Sequence, residues 1–479
     1  MNWLEQQLKT RPSATAVRCG ELSWSYRDLA RNAAACARHL ERAGIEKGSI
    51  VAIYMRNGID AVLAIHAALW RGATLVLLNR RLTDHELAWH LEDSEAELVL
   101  TDSDQQLDVD VPLFAVDAQE LGGDAVFMSP AQYAEDDVLT VMYTSGTTGE
   151  PKPVPLTWQN HVSSALGSVF NLGTDDADDW LCCLPLYHVG GLSILVRSVI
   201  YGTSFTVTRG FDVDEVGYLI QKKGITLASF VPTMLERIME HRPRISPGAL
   251  RAVLLGGAPA REALVERALL AGFPVLQTYG MTEACSQLTT MPPGHELEKL
   301  GSSGTPLFQA KIAIRDENGE ALDDGEVGDI WAAGPMVMRG YLRRPEATDQ
   351  VMDDGWLKTG DCGRLDADGY LWVEARRDDL IISGGENVYP REVEQVLAAH
   401  PQVDDVTVVG LEDEEWGQVV AAAIVAEGTP DFDALEAFCR ERLAAFKVPR
   451  RWVVLDEFPR TAAGKKKRGA IRAAFRDDH

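Results

Sequence analysis

The sequence predicts an α/β fold: a large N-terminal domain of parallel, helix-covered sheets with a β-rich subdomain, then a small C-terminal α+β domain. Three observations lead there. Short apolar, strand-like runs alternate with amphipathic helical patterns through the first hundred residues, and the alternation resumes from Leu227 to Thr278. Between Gly304 and Trp372 the texture changes to short strands with turns such as Glu317-Asn318-Gly319 and Asp366-Ala367-Asp368-Gly369. After Arg376 a strand–helix alternation restarts. A chain of 479 residues exceeds one core, and the boundary is placed between residues 1–377 and 378–479.

Each element follows from local chemistry. Ser25-Tyr26-Arg27-Asp28 reads as a helix N-terminus, after which Leu29, Ala33, Cys36 and Leu40 recur on one face. Val51 to Met55 reads as a strand, Asp60 to Trp70 as a helix and Ala73 to Leu78 as a second strand. Thr83-Asp84-His85-Glu86 has capping-box spacing and opens a helix before the strand Glu97 to Thr101. Strands separated by helices imply parallel pairing with both faces covered. Later strands are expected near Leu227–Val231, Ala252–Leu255 and Val275–Thr278. Beyond the boundary they are expected at Val406–Leu411 and Val419–Ala426, with a helix over Asp433–Leu443.

Composition excludes several function classes. A formal charge of −26 argues against a nucleic-acid or anionic-membrane surface. Anionic substrates must then be drawn in by local positive charge. Seven scattered cysteines without C-x-x-C spacing suit reduced thiols, not a disulfide framework or a zinc site. Met1 to Arg11 lacks the apolar core of a signal peptide, and no stretch approaches the ~18 apolar residues of a membrane span. The expectation is a cytoplasmic protein, with the oligomeric state left open, a homo-oligomer included.

The most informative segment is Tyr143-Thr144-Ser145-Gly146-Thr147-Thr148-Gly149-Glu150-Pro151-Lys152. Hydroxyls, glycines and a lysine after an apolar strand can turn N–H groups, O–H groups and an ammonium toward one polyphosphate. It lacks the G-x-x-x-x-G-K-[ST] spacing of the common phosphate loop. Its wording resembles the phosphate loop of the adenylate-forming enzymes, the acyl-CoA synthetase and luciferase superfamily. The further motifs of that superfamily follow in order: Leu184 to Leu192 with His188, Leu254-Leu255-Gly256-Gly257-Ala258-Pro259, and Gln277-Thr278-Tyr279-Gly280-Met281-Thr282-Glu283. Then come Gly355 to Asp361, Arg376-Arg377-Asp378, Ser383-Gly384-Gly385-Glu386, and Pro459 to Arg468.

The resemblance implies an ATP-, CoA- and Mg²⁺-dependent acid–thiol ligase. Nucleotide contacts would come from Thr144, Ser145, Gly146, Thr147, Thr148, Lys152, Gly257, Ala258, Pro259, Gln277, Tyr279, Gly280, Met281, Asp361 and Arg376. Tyr279 would lie against adenine, Asp361 and Arg376 at the ribose, Thr282 near the α-phosphate and Glu283 on the metal. His188, Gly256 and Gly280 would line the acid site. Gly384 and Gly385 would line the pantetheine tunnel. Lys465 would serve adenylation, and Asp378 would be the hinge of a mobile C-terminal domain. Pro153 departs from the family, which usually has glycine after the loop lysine, and puts the local backbone path in question.

Within the superfamily the chain looks most like the o-succinylbenzoate–CoA ligases of menaquinone biosynthesis. Leu77 to Leu82, His188 to Ser198 and Gln277 to Gln287 carry that similarity. The compact length, with no carrier-protein domain after Arg468, fits a stand-alone ligase. Such an acid keeps one carboxylate while the other is activated, so its pocket needs a cation or donors. A helix starting near Gly191 would put Ser193 and Arg197 on one face, one turn from His188; the alternative is an Arg197 that snorkels at the surface. Another aryl- or fatty-acid–CoA ligase, a carrier-protein adenylation enzyme and a non-catalytic AMP-binding module remain as competing readings.

Overall fold

The computed structural model describes the chain except for residues 103–106, 121–127, 146–150, 243–244, 259, 261, 317, 377–380, 389, 427, 429, 460–467 and 476–479. It divides into two compact units. The larger comprises Met1–Arg80, Leu91–Tyr143 and Pro153–Ala375; the smaller comprises Arg81–His90, Thr144–Lys152 and Arg376–His479.

A nine-stranded sheet runs through the larger unit in the order Thr305–Pro306, Ser286–Thr290, Val275–Met281, Ala252–Leu255, Leu227–Phe230, Asp179–Cys182, Ser204–Val207, Thr15–Cys19, Leu22–Ser25. Its centre is parallel, and antiparallel pairs close both ends. The central strands are buried on both faces, as continuous apolar runs require. Trp180, Cys182 and Leu254 enter one apolar cluster, while Leu181, Cys183, Val253 and Leu255 enter the other. A six-stranded sheet has the order Leu113–Val116, Leu98–Asp102, Ile50–Tyr54, Thr74–Leu77, Val138–Ser145, Pro151–Thr157. Pro153 therefore lies in an edge strand, where a missing N–H breaks no central ladder; its carbonyl accepts from Leu342 N at 2.9 Å. The β-rich segment forms a five-stranded sheet built around Trp356–Leu365.

The helix N-terminus expected at Ser25 and the capping box expected at Thr83 both form. Ser25 and Asp28 open the helix Tyr26–Arg42, in which Leu29, Ala33, Cys36 and Leu40 are buried. At the start of Asp84–Ser94 the Thr83 N–H donates to the Glu86 carboxylate at 2.8 Å, and the Glu86 N–H donates to Thr83 Oγ1 at 3.2 Å.

Two imidazoles of the larger unit are too buried to hold charge. Burial pushes His66, on helix Ile59–Arg71, down to about 4, and His161, on helix Trp158–Leu172, down to about 3. Unfolding returns both to their ordinary value of 6.5. The unfolded chain then binds more protons, so stability is full above that value and is lost as pH falls toward the folded values. Each histidine contributes a slope of about 1.4 kcal/mol per pH unit in that window. His66→Leu is expected to remove one such slope from the urea-unfolding free energy compared at about pH 5 and about pH 6. An unchanged slope would show that His66 accepts a proton without unfolding.

In the smaller unit, a mixed five-stranded sheet centred on Gly417–Val425 packs against Pro390–Ala398 and Phe432–Arg440 through Val393, Leu397, Val408, Ile424 and Leu435. The Lys447 ammonium, 5% exposed, donates to Glu86 at 2.9 Å and Glu392 at 2.7 Å. Burial alone disfavours that charge, but the two carboxylates outweigh it and hold the Lys447 pKa above its ordinary value. Burial pushes the Glu392 carboxyl up against the pull of Lys447.

Candidate active site

The strand Val275–Met281 leaves the parallel part of the nine-stranded sheet and folds back on Ser286–Thr290. This carries Gln277 through Met281 to the carboxyl end of the sheet, the edge at which open α/β sheets bind ligands. The Tyr279 hydroxyl donates to Asp361 Oδ2 at 2.8 Å. Asp361, on strand Trp356–Leu365, is 5% exposed, and its N–H donates to Thr359 Oγ1 at 3.2 Å. An aromatic face and an adjoining carboxylate suit a flat base joined to a diol.

Gln277 Oε1 accepts from Gly301 N at 3.2 Å, and Thr278 Oγ1 donates to the Thr289 carbonyl at 2.7 Å. A Cβ on Gly256 would meet Thr278 Cγ2 at 2.7 Å, and one on Gly280 would meet the Ser286 carbonyl oxygen at 1.6 Å. Both glycines thus have a backbone-packing reason of their own. Gly257 takes φ +79°, the left-handed region, and Ala258 beside it is half-buried.

Thr282, Glu283 and Ala284 form a single 3₁₀ turn. The Glu283 carboxylate accepts from the Tyr341 hydroxyl at 3.1 Å, and its carbonyl accepts from Met338 N at 2.7 Å. Among the described residues there is no group of three or more His, Cys, Asp or Glu that could hold a metal ion alone. A single carboxylate such as Glu283 suits a cation that takes most of its oxygens from phosphate and water, as Mg²⁺ does.

His188 is the N-cap of the helix Val189–Tyr201, its ring 4.7 Å from that of Tyr187. Gly191 lets this turn close, since a Cβ there would meet the Pro185 carbonyl oxygen at 2.1 Å. Ser193 and Arg197 share the helix and are both buried. They do not bond to each other: Ser193 Oγ donates back to the Val189 carbonyl at 2.5 Å, and Arg197 Nη2 donates to Ser164 Oγ at 3.1 Å. Arg197 is 3% exposed, so it does not snorkel. It lies over the Trp180 ring at 5.8 Å, and its Nε is buried without a partner among the described residues. Burial pushes its pKa down from the ordinary value.

The smaller unit holds the remaining described candidates. Thr144 and Ser145 end the strand Val138–Ser145, and Lys152, 8% exposed, lies in Pro151–Thr157. Arg376 closes the strand Leu371–Arg376. Gly384 and Gly385, at φ +58° and +81°, form the turn of a hairpin between Ile381–Ser383 and Glu386–Val388. A Cβ on Gly384 would meet the Trp416 ring at 2.7 Å. Gly146, Thr147, Thr148, Pro259, Asp378 and Lys465 lie outside the described residues. Tyr341 and Ser164 had escaped the motif reading. Neither belongs to a motif, and each meets its partner across 58 and 33 residues of chain.

Residues 4–342 match the model of the AMP-binding enzyme family, and residues 392–465 match that of the AMP-binding enzyme C-terminal domain. A 2-succinylbenzoate–CoA ligase of Geobacillus kaustophilus is 45% identical over 476 residues, covering 98% of this chain and 97% of that one. An o-succinylbenzoate CoA synthetase double mutant from Bacillus subtilis, bound with the product analogue OSB-NCoA, superposes with a TM-score of 0.93 at 40% identity, covering 98% of both chains. The Bacillus subtilis enzyme in complex with ATP and magnesium ion superposes with a TM-score of 0.74 over the same shares, again at 40% identity. The chain belongs to the AMP-binding enzyme family.

Proposed function

We propose that this chain is a 2-succinylbenzoate–CoA ligase. It converts 2-succinylbenzoate, ATP and CoA to the acyl-CoA thioester, AMP and diphosphate, a step of menaquinone biosynthesis. The observation that carries the acid assignment is Arg197, a buried cation on the helix capped by His188 that forms no ion pair with a carboxylate among the described residues. Similarity over nearly the whole of both chains to a ligase of that name supports it.

A carboxylate is a poor acyl donor because its leaving group would be oxide. Attack of the acid on the α-phosphorus of ATP expels diphosphate and makes AMP the leaving group for the CoA thiol. Tyr279 stacks on the adenine, with Gln277, Gly257, Ala258, Pro259 and Met281 around it, while Asp361 and Arg376 hold the ribose. The loop from Thr144 to Lys152 and the hydroxyl of Thr282 hold the phosphates. Glu283 would hold a magnesium ion, which would supply neutralisation of the phosphate charge. His188, Gly256 and Gly280 line the acid channel. Lys465 steadies the charge that develops during adenylation. The chain then turns about Asp378, and Gly384 and Gly385 border the path of the CoA thiol. The reactants are soluble small molecules, no described helix is long and apolar enough to cross a membrane, and the seven cysteines are free thiols. The cytoplasm is the matching compartment.

The deciding assay follows AMP and thioester formation from ATP and CoA over a panel of carboxylic acids. Preference for 2-succinylbenzoate is expected. Preference for benzoate or a medium-chain fatty acid, or acyl transfer only to a carrier protein, would overturn the assignment. Arg197→Ala is expected to raise the KM for 2-succinylbenzoate at least about tenfold, because a charge-assisted hydrogen bond contributes roughly 1.5–3 kcal/mol. The KM for ATP should stay nearly constant, since other loops hold the nucleotide.

A further inference from the structure

Arg197 ends a chain of buried polar groups that the proposed chemistry leaves unused. Ser164, 4% exposed on the helix Trp158–Leu172, accepts from Arg197 Nη2 at 3.1 Å and donates to the Cys285 carbonyl at 2.6 Å. A serine hydroxyl has a single proton. Once that proton is committed to Cys285, only lone pairs are left for the guanidinium. Cys285 directly follows the turn Thr282–Ala284, takes φ +50°, and donates its N–H to the Thr282 carbonyl at 3.0 Å. Its thiol lies 3.4 Å from His161 Nδ1, and His161 Nε2 lies 3.0 Å from Thr140 Oγ1. Burial keeps His161 neutral at working pH, so its ring adds no charge beside Arg197. Among the described residues the guanidinium is held by one neutral hydroxyl and a ring face, and its Nε–H has no acceptor.

We propose that Ser164 is a positioning residue that sets acid specificity: it orients Arg197 toward the carboxylate the acid retains. It also ties that orientation to the backbone beside Thr282 and Glu283. The inference deepens the reading of Arg197 given under Proposed function and rests on it. One oxygen serves two elements, the helix bearing His188 and Arg197 and the backbone directly after the turn bearing Thr282 and Glu283. Removing it leaves a buried N–H and a buried carbonyl unsatisfied together. The arginine then loses its hydroxyl anchor and keeps the Trp180 ring face.

The test compares wild type, Ser164→Ala, Ser164→Thr, Ser164→Cys and Arg197→Ala. Two acids are used: 2-succinylbenzoate and a monocarboxylic analogue in which the retained carboxyl is replaced by hydrogen. Calorimetric Kd, KM and kcat are read for each, with KM for ATP as the internal reference. Ser164→Ala is expected to weaken 2-succinylbenzoate about five- to tenfold, in line with one weakened charge-assisted hydrogen bond. The monocarboxylic acid and ATP should move by less than about twofold, and Ser164→Thr should restore the dicarboxylate. If Ser164→Ala does not fold, Ser164→Cys, close in volume but a poor hydrogen-bonding partner, should show the same discrimination. Equal weakening of both acids, or of neither, with Arg197→Ala still discriminating, overturns the role of Ser164 alone. If Arg197→Ala does not discriminate either, the reading of Arg197 fails and this inference fails with it.

Discussion

Gly280→Ala is expected to destabilise the larger unit by ~4 kcal/mol or more and to slow adenylate formation by ~10²-fold or more. A Cβ at this position would lie 1.6 Å from the Ser286 carbonyl oxygen, 2.6 Å from its carbon and 2.8 Å from Gln287 Cα. All three are backbone atoms, so no side-chain rotation relieves the clash. The two strands already shift register between Tyr279 and Gly280. Forcing them further apart displaces Tyr279 on one side and the Thr282–Ala284 turn on the other. A misplacement of ~1 Å in a site that works by positioning costs about 10²-fold. The control is Gly210→Ala, where an added Cβ would meet nothing within 4 Å and φ is outside the left-handed region. Urea unfolding and diphosphate release measured on both variants decide the matter. A Gly280→Ala protein equal to the control would mean that this close approach is not required.

The second large effect is expected at Lys465. Lys465→Ala should lower acyl-adenylate formation from acid and ATP by about 10²–10³-fold, the loss of ~3–4 kcal/mol of transition-state stabilisation. Two anions meet in this step, and an ammonium aligned with the charge that develops on the phosphate oxygens is worth most in a site from which water is excluded. Transfer of the acyl group from presynthesised acyl-AMP to CoA breaks the acyl C–O bond and forms no bond at the α-phosphorus, so it meets no such encounter of two anions and should be largely spared. Rapid-quench measurement of each half-reaction separates the two. Equal loss in both would show that Lys465 acts structurally or has been assigned the wrong step.

Where information is local, the amino-acid sequence alone determined the outcome. Ser25 with Asp28 and Thr83 with Glu86 are three residues apart, and their capping hydrogen bonds formed as spaced. The apolar runs at Leu227–Phe230 and Ala252–Leu255 are buried at every position, and they pair in parallel as strands separated by helices imply. The order of the motifs likewise pointed to the family, because residue types and short spacings are properties of the chain itself. The tertiary structure decided which of these residues meet. Tyr279 reaches Asp361 across 82 residues, Ser164 reaches Cys285 across 121, and Lys447 reaches Glu86 across 361. Such contacts depend on the order of strands in a sheet and on the packing of helices over it, which no local pattern encodes. Gly280 shows the difference in a single residue. From the sequence it is one position of a nucleotide-binding motif. In the fold, the approach of a neighbouring strand leaves no space for a Cβ. That constraint arises only when two distant backbones are pressed together by the burial of the apolar faces they carry.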